Sequence, residues 1–131
     1  MEHLIPYFLK LILAAALAGL IGIEREHKHR PAGLRTHMLV CIASTAIIIA
    51  ALEMSTPDAA GRIAAAIITG IGFLGAGTII SQKKTVHGLT TAASVWAVAG
   101  LGIVIGLGHY SLAVATALLF LIILHFKSHK M

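Results

Sequence analysis

Apolar residues fall in five runs separated by short polar segments: roughly Leu4 to Ile23, Met38 to Leu52, Ile63 to Ile80, Leu89 to Gly108 and Tyr110 to Phe126. Within each run the apolar character is nearly continuous, the pattern of a helix surrounded by lipid. A spanning helix takes about 20 residues, within a range of about 17 to 25. The second run reaches that length when it starts near Leu34, with Arg35 and His37 in the interfacial zone. The fifth sits near the lower limit and suits a helix with little tilt. The expected architecture is an all-α, polytopic membrane bundle of about five transmembrane helices, forming one domain over residues 1–131.

The stretch from Gly70 to Trp96 organises this expectation, because Gly70, Gly72, Gly75 and Gly77 fall inside a strongly apolar run. In a water-soluble helix each glycine costs roughly 1 kcal/mol against alanine. In a bilayer the backbone has no other hydrogen-bond partner, and small residues let helices approach closely. These four glycines are therefore expected to pack the third helix tightly, with Ala65, Thr69, Gly72 and Ala76 forming its contact stripe. Gly70, Gly72 and Gly75 also spell GxGxxG, but the dinucleotide fingerprint has meaning only between a strand and a helix of a βαβ unit. A polar hairpin is expected at Ser81 to Gly88. The fourth helix follows, with Thr90 or Thr91 as its cap, His87, Thr91 and Ser94 on one face, and Trp96 between helices.

The other runs carry similar marks. Ala15, Ala18, Gly19 and Gly22 line one face of the first helix, at offsets of 0, 3, 4 and 7. Gly102 and Gly106 form a GxxxG pair, a modest sign of a helix contact. Ser44 and Thr45 are positioned to bond back to their own helix, and Asp58 or Ser55 to cap the third. The fifth run, rich in leucine and isoleucine, is expected at the periphery.

Composition agrees: 58% of residues are hydrophobic and 11% charged, with a mean hydropathy of +0.94, well outside the range of a soluble domain. The first run is followed by charged residues without a small-residue cleavage site, and reads as a retained span. The single cysteine, Cys41, excludes an internal disulfide and reads as a small buried hydrophobe. Arg25, Lys28, Arg30, Arg35, Lys83, Lys84, Lys127 and Lys130 fall on one side of the predicted spans, against Lys10 and Arg62 on the other. Eight against two places the N-terminus outside and the C-terminus in the cytoplasm. Lys10 snorkels to the outer surface. The net charge of +5 therefore suits a bilayer with anionic lipid, and no soluble stretch is long enough to bind nucleic acid.

Candidate chemistry concentrates at the cytoplasmic edge. Glu24, Arg25, Arg35, Thr90 and Thr91 are expected to meet there as a polar cluster, and Glu24 and Lys28 have the favourable order for a helical ion pair. Pro31-Ala32-Gly33 breaks the helix before Arg35. His125 with His129, and His27 with His29, read as solvated histidines for want of a third ligand. No catalytic, cofactor or metal site is expected, and with no activated nucleophile or paired carboxylates the chain is not an enzyme.

Four blocks, GLIGIERE (Gly19 to Glu26), RPAGLRTHMLV (Arg30 to Val40), GIGFLGAGTII (Gly70 to Ile80) and GLTTAASVWAVAGLG (Gly88 to Gly102), together resemble the MgtC/SapB family of bacterial inner-membrane proteins. The resemblance implies a multi-pass protein of the inner (plasma) membrane, with a membrane domain of about five helices. It also implies adaptation to low magnesium, survival inside host cells, and control of membrane energy through the F-type ATP synthase. Many members continue into a cytoplasmic domain, which is expected to be absent here or supplied by another chain. Their Asp-Pro-x-Arg segment is also altered, since Asp58 and Arg62 stand one residue further apart, and Ala66 occupies their glutamine position.

The function expected is regulation of membrane, magnesium or energy homeostasis by helix–helix contact within the lipid bilayer. The contacts would be with a second copy, as a homodimer, or with a partner such as the F-type ATP synthase. The alternative is a magnesium transporter or channel. Magnesium is bound through carboxylates and retained waters, and Glu2, Glu24, Glu26, Glu53 and Asp58 all lie outside the predicted hydrocarbon core. A pore lined by backbone carbonyls at the glycine run is the form the alternative would take.

Overall fold

A computed structural model describes residues 2–127, apart from the side chain of Gln82; His129 and Lys130, invoked above, lie outside the described residues. Five helices follow in order: α1 (Leu4–His27), α2 (Leu34–Leu52), α3 (Ala59–Ala76), α4 (Leu89–Gly106) and α5 (Tyr110–His125). Between α3 and α4 the expected hairpin is an antiparallel pair, β1 (Ile80–Gln82) and β2 (Thr85–His87), with Ser81 opposite Val86. The helices α1 to α4 are each long and apolar enough to cross a bilayer, whereas α5 is shorter at 16 residues. Large apolar side chains such as Phe8, Leu39, Leu119 and Ile123 are exposed, as expected where lipid is the solvent.

The centre of the bundle is the seam between α2 and α4. Two hydrogen bonds cross it, His37 to Ser94 and Thr45 to Gly102, and both join residues 57 positions apart. A constant offset means that α2 and α4 run parallel and in register. The glycines of α4 make the approach close: a Cβ on Gly102 would lie 2.8 Å from that of Ser44 and overlap the carbonyl of Cys41, and one on Gly106 would lie 2.8 Å from the Cβ of Ile48. The GxxxG pair therefore marks a close helix contact. Ten residues of α4 are buried, from Thr91 to Gly106.

Around this seam the remaining helices are laid in turn. α1 runs antiparallel to α2 and meets its start closely, since a Cβ on Gly22 would lie 2.7 Å from the Cα of Leu34; Gly19 faces Met38 at ordinary contact distance. Ala14, Ala18 and Ile21 of α1 join Cys41, Val98, Leu101 and Ile105 in the core, which α5 closes with Ala113 and Ala117. Lys10 reaches toward the end of the bundle where α1 begins and α4 finishes. Its Nζ donates to the carbonyl of Gly106 at 3.3 Å, where the last carbonyls of α4 have no helical partner and the helix dipole favours a cation.

Four expectations need correction. The glycine run of α3 is not closely packed within the chain: Cβ atoms on Gly70 and Gly72 would meet nothing within 4 Å, and Ala65, Thr69, Gly72 and Ala76 are exposed. Only Gly75 packs closely against another helix, on Ala92 of α4, while Gly77 faces the carbonyl of Leu74 in its own chain. A count of glycines does not say on which side a neighbour stands. Trp96 is 49% exposed rather than packed: its position on α4 lies off the α2 seam, at the edge of the space between α4 and α5. Nor do side chains cap α3 or α4: Asp58 pairs instead with Arg62 at 3.7 Å. Gly88 begins α4 with a φ of 88°, a value that suits glycine. Thr90 and Thr91 consequently fall inside the first turn, and His87 belongs to β2 rather than to a helical face with Ser94.

Gly102→Ala forces apart two backbones and should destabilise the protein by about 1–3 kcal/mol. Gly70→Ala and Gly72→Ala, on an open helical face, should be neutral or stabilise by up to about 1 kcal/mol each. Thermal unfolding in detergent micelles checks all three, and equal losses would refute this placement of the close contact.

Candidate functional site

At the end of the bundle where α1, α3 and α5 finish and α2 and α4 begin, polar side chains are drawn inside. α1 continues helically to His27, far enough for Glu24, Arg25 and Lys28 to meet. The Arg25 Nε donates to Glu24 Oε2 at 2.8 Å, its Nη2 approaches Oε1 at 3.4 Å, and the Lys28 Nζ reaches Oε1 at 2.7 Å. One carboxylate thus serves two cations, leaving an excess positive charge. Arg25 is 2% exposed, and its Nη1 is buried without a hydrogen-bond partner. Lys28 also donates to the carbonyl of Leu124 on α5, which adds a bond but no counter-charge.

The second half of the cluster is the start of the seam. Pro31-Ala32-Gly33 turns the chain, and Gly33 precedes α2 with its carbonyl free to accept from the His37 amide at 3.2 Å. The same carbonyl lies 2.8 Å from His37 Nδ1; a carbonyl can only accept, so Nδ1 carries a hydrogen. His37 Nε2 lies 2.9 Å from Ser94 Oγ, and that hydroxyl lies 2.8 Å from the carbonyl of Thr91. Ser94 has one hydrogen for two acceptors. With a neutral imidazole the hydroxyl donates to Nε2; with an imidazolium, Nε2 donates to Ser94 and the hydroxyl turns to Thr91. Arg25 and Glu24 act on His37 electrostatically, so the ion cluster and the seam form one buried polar unit across α1, α2 and α4, tied to α5 by Lys28.

Of the residues expected here, Glu24 and Arg25 are paired and Thr91 is buried with its carbonyl engaged. Thr90 and Arg35 are exposed and take no part in these bonds. His37 and Ser94 are the members that sequence reasoning missed. Their shared separation with Thr45 and Gly102 shows in the sequence only once α2 and α4 are known to be parallel. Nearby, the Thr78 hydroxyl donates to the carbonyl of Gly75 at 2.7 Å and approaches that of Gly88 at 3.4 Å, closing the corner between α3 and the hairpin. Among the described residues no three His, Cys, Asp or Glu side chains gather as a metal-binding group.

The sequence pattern of the MgtC family matches residues 11–130. The chain belongs to the MgtC family. It is 47% identical to the protein MgtC of Salmonella typhimurium LT2, over 88% of this chain and 50% of that protein. It is 44% identical to the protein MgtC of Brucella abortus, over 83% of this chain and 45% of that one. A third relative, from Escherichia coli K12, is named "Putative magnesium transporter YhiD" and is 40% identical over 90% of this chain and 59% of its own length. The chain thus spans about half the length of these MgtC-family relatives. No solved structure matches it. The four sequence blocks of the resemblance include α1's charged end, the start of α2, the glycine run of α3 and the start of α4.

Ser94→Ala leaves a buried imidazole nitrogen without its partner and should destabilise this MgtC-family chain by about 1–3 kcal/mol. In a double-mutant cycle with His37→Leu, the two losses should fall short of additivity by about 0.5–3 kcal/mol. Urea unfolding in micelles measures both; strictly additive losses would show that the two side chains do not interact.

Proposed function

We propose that this chain is the membrane unit of a regulator of magnesium homeostasis, acting through contact between its own helices and those of another membrane protein. The observation that carries the reading is the outward face of α3. Ala65, Ala66, Thr69, Gly70, Gly72 and Ala76 are exposed on it, and Phe73 is 89% exposed. Glycines weaken a helix unless they serve an approach, and here no neighbour within the chain uses Gly70 or Gly72. A stripe of small residues facing lipid suits the backbone of a partner helix. The partner is a second copy of the chain or a membrane protein such as the F-type ATP synthase, which the family resemblance implies. The basic end, with Arg30, Arg35, Lys83 and Lys84, faces the cytoplasm of a bacterial inner membrane on this reading.

The name of the Escherichia coli relative supports the alternative, magnesium transport. The buried cluster argues for the regulator, since its one carboxylate is already shared by two cations and magnesium takes carboxylate and water oxygens. In proteoliposomes the protein should release magnesium no faster than empty vesicles. In cells lacking the native protein, Gly70→Leu with Gly72→Leu should abolish rescue of growth at limiting magnesium while the protein stays folded. Selective magnesium flux, or full rescue by the double variant, would overturn the regulatory reading.

A further inference from the structure

A second feature lies away from both α3 and the seam: a groove of about 290 Å³ between α4 and α5, backed by Ile21 of α1. Thr90, Ala93 and Ala97 lie at offsets of 0, 3 and 7 on one face of α4, and Phe120 and Ile123 face them from α5. Seven residues of helix make the groove about 10 Å long. Its walls are apolar apart from Thr90 and Ser94 near one end. Water finds few partners along such walls, so in a bilayer the natural filling is hydrocarbon. The half-exposed Trp96 lines it as well.

The mouth of the groove is electropositive. Leu124, a wall residue, has its carbonyl bonded to the Lys28 ammonium. Thr90 is exposed at the start of α4, a helix that begins without a side-chain cap and so presents unpaired N–H groups and its positive dipole end. One turn beyond Ile21 on α1 lies Arg25, almost fully buried, with Nη1 unpartnered. Arg25 and Lys28 share Glu24, and over this end of the chain Arg25, Lys28, Arg30 and Arg35 outnumber Glu24 and Glu26. A cationic excess at the interfacial end of a hydrocarbon groove is the arrangement that recognises an anionic lipid.

The geometry points to a phospholipid site, with one acyl chain in the α4–α5 groove and an anionic headgroup phosphate at Lys28 and Thr90. The groove and the headgroup site are separable parts. A zwitterionic lipid offers the chain but cancels its own charge, and free phosphate offers the anion without a chain. The site does not depend on the α3 face, so either assignment stands or falls alone.

The test uses the full chain in nanodiscs of phosphatidylcholine, with and without phosphatidylglycerol. Phosphatidylglycerol should raise the thermal midpoint, and inorganic phosphate added to phosphatidylcholine discs should not. Phosphatidylglycerol bearing a photoreactive acyl chain should label peptides of α4 and α5 in the unaltered protein. Lys28→Gln should weaken its retention about fivefold, the weight of one lysine near an anionic lipid surface, and Ala97→Phe should displace the chain and remove the labelling. Equal midpoints in the two lipids, a response to phosphate alone, or labelling spread evenly over all lipid-facing helices would overturn the assignment.

Discussion

Lipid gives helices no hydrophobic reason to associate, so what holds this bundle together is close packing and the hydrogen bonds that packing permits. Both are concentrated where α4 lies against α2. Gly102 and Gly106 remove the side chains that would separate the two backbones. The Thr45 hydroxyl then bonds at once to the Cys41 carbonyl of its own helix, at 2.9 Å, and to the Gly102 carbonyl across the seam, at 3.0 Å. About two turns along the same seam, His37 reaches Ser94. The glycines set the distance and the polar pairs set the register. A slide of α4 by one residue would lose both bonds and bring Cβ atoms against the carbonyls of α2.

From this seam the placement of charge follows. With α2 and α4 parallel, their starts come together at one end, and the end of α1 must lie beside them because its loop to α2 is short. That brings Glu24 and Arg25 near His37. A buried guanidinium is costly unless paired, and here the pairing acid is the neighbouring residue in sequence, itself shared with Lys28. At the opposite end Lys10 meets the last carbonyls of α4, so both termini of the central helix are met by groups from α1 or α2. α3 packs on one side, with Gly75 on Ala92, Ile68 toward Gly100 and the Thr78 corner, and this leaves its other face exposed.

Helix number and approximate limits were legible because lipid demands length and apolarity, and those are properties of a segment by itself. Which face of a helix is inside is a property of pairs, and there the sequence misled. Gly70 and Gly72 lie in an apolar run much as Gly102 and Gly106 do, yet only the latter meet a backbone. His37 read as interfacial because it stands one turn into α2; its burial depends on Ser94, 57 residues away. Thr90 and Thr91 read as caps because threonine suits that role, but Gly88 can take the positive φ at the corner and starts the helix earlier. Glu24 with Arg25 and Lys28 was the legible part of the cluster, being local to one helix.

The two outward surfaces then divide by their electrostatics. The α3 face is made of small and apolar side chains, and the charges at its start, Asp58 and Arg62, are exposed and paired with each other. It offers shape without charge, which suits another helix whose own backbone bonds are already made. The α4–α5 groove is the opposite case, since its apolar walls end at a site where two cations share one acid and a helix begins uncapped. A partner helix laid there would bring no anion to that end, whereas a phospholipid brings an acyl chain and an anion at fixed spacing. On the two proposals made above, α3 would take a partner helix and the groove a lipid, because the groove joins apolar walls to a cationic end.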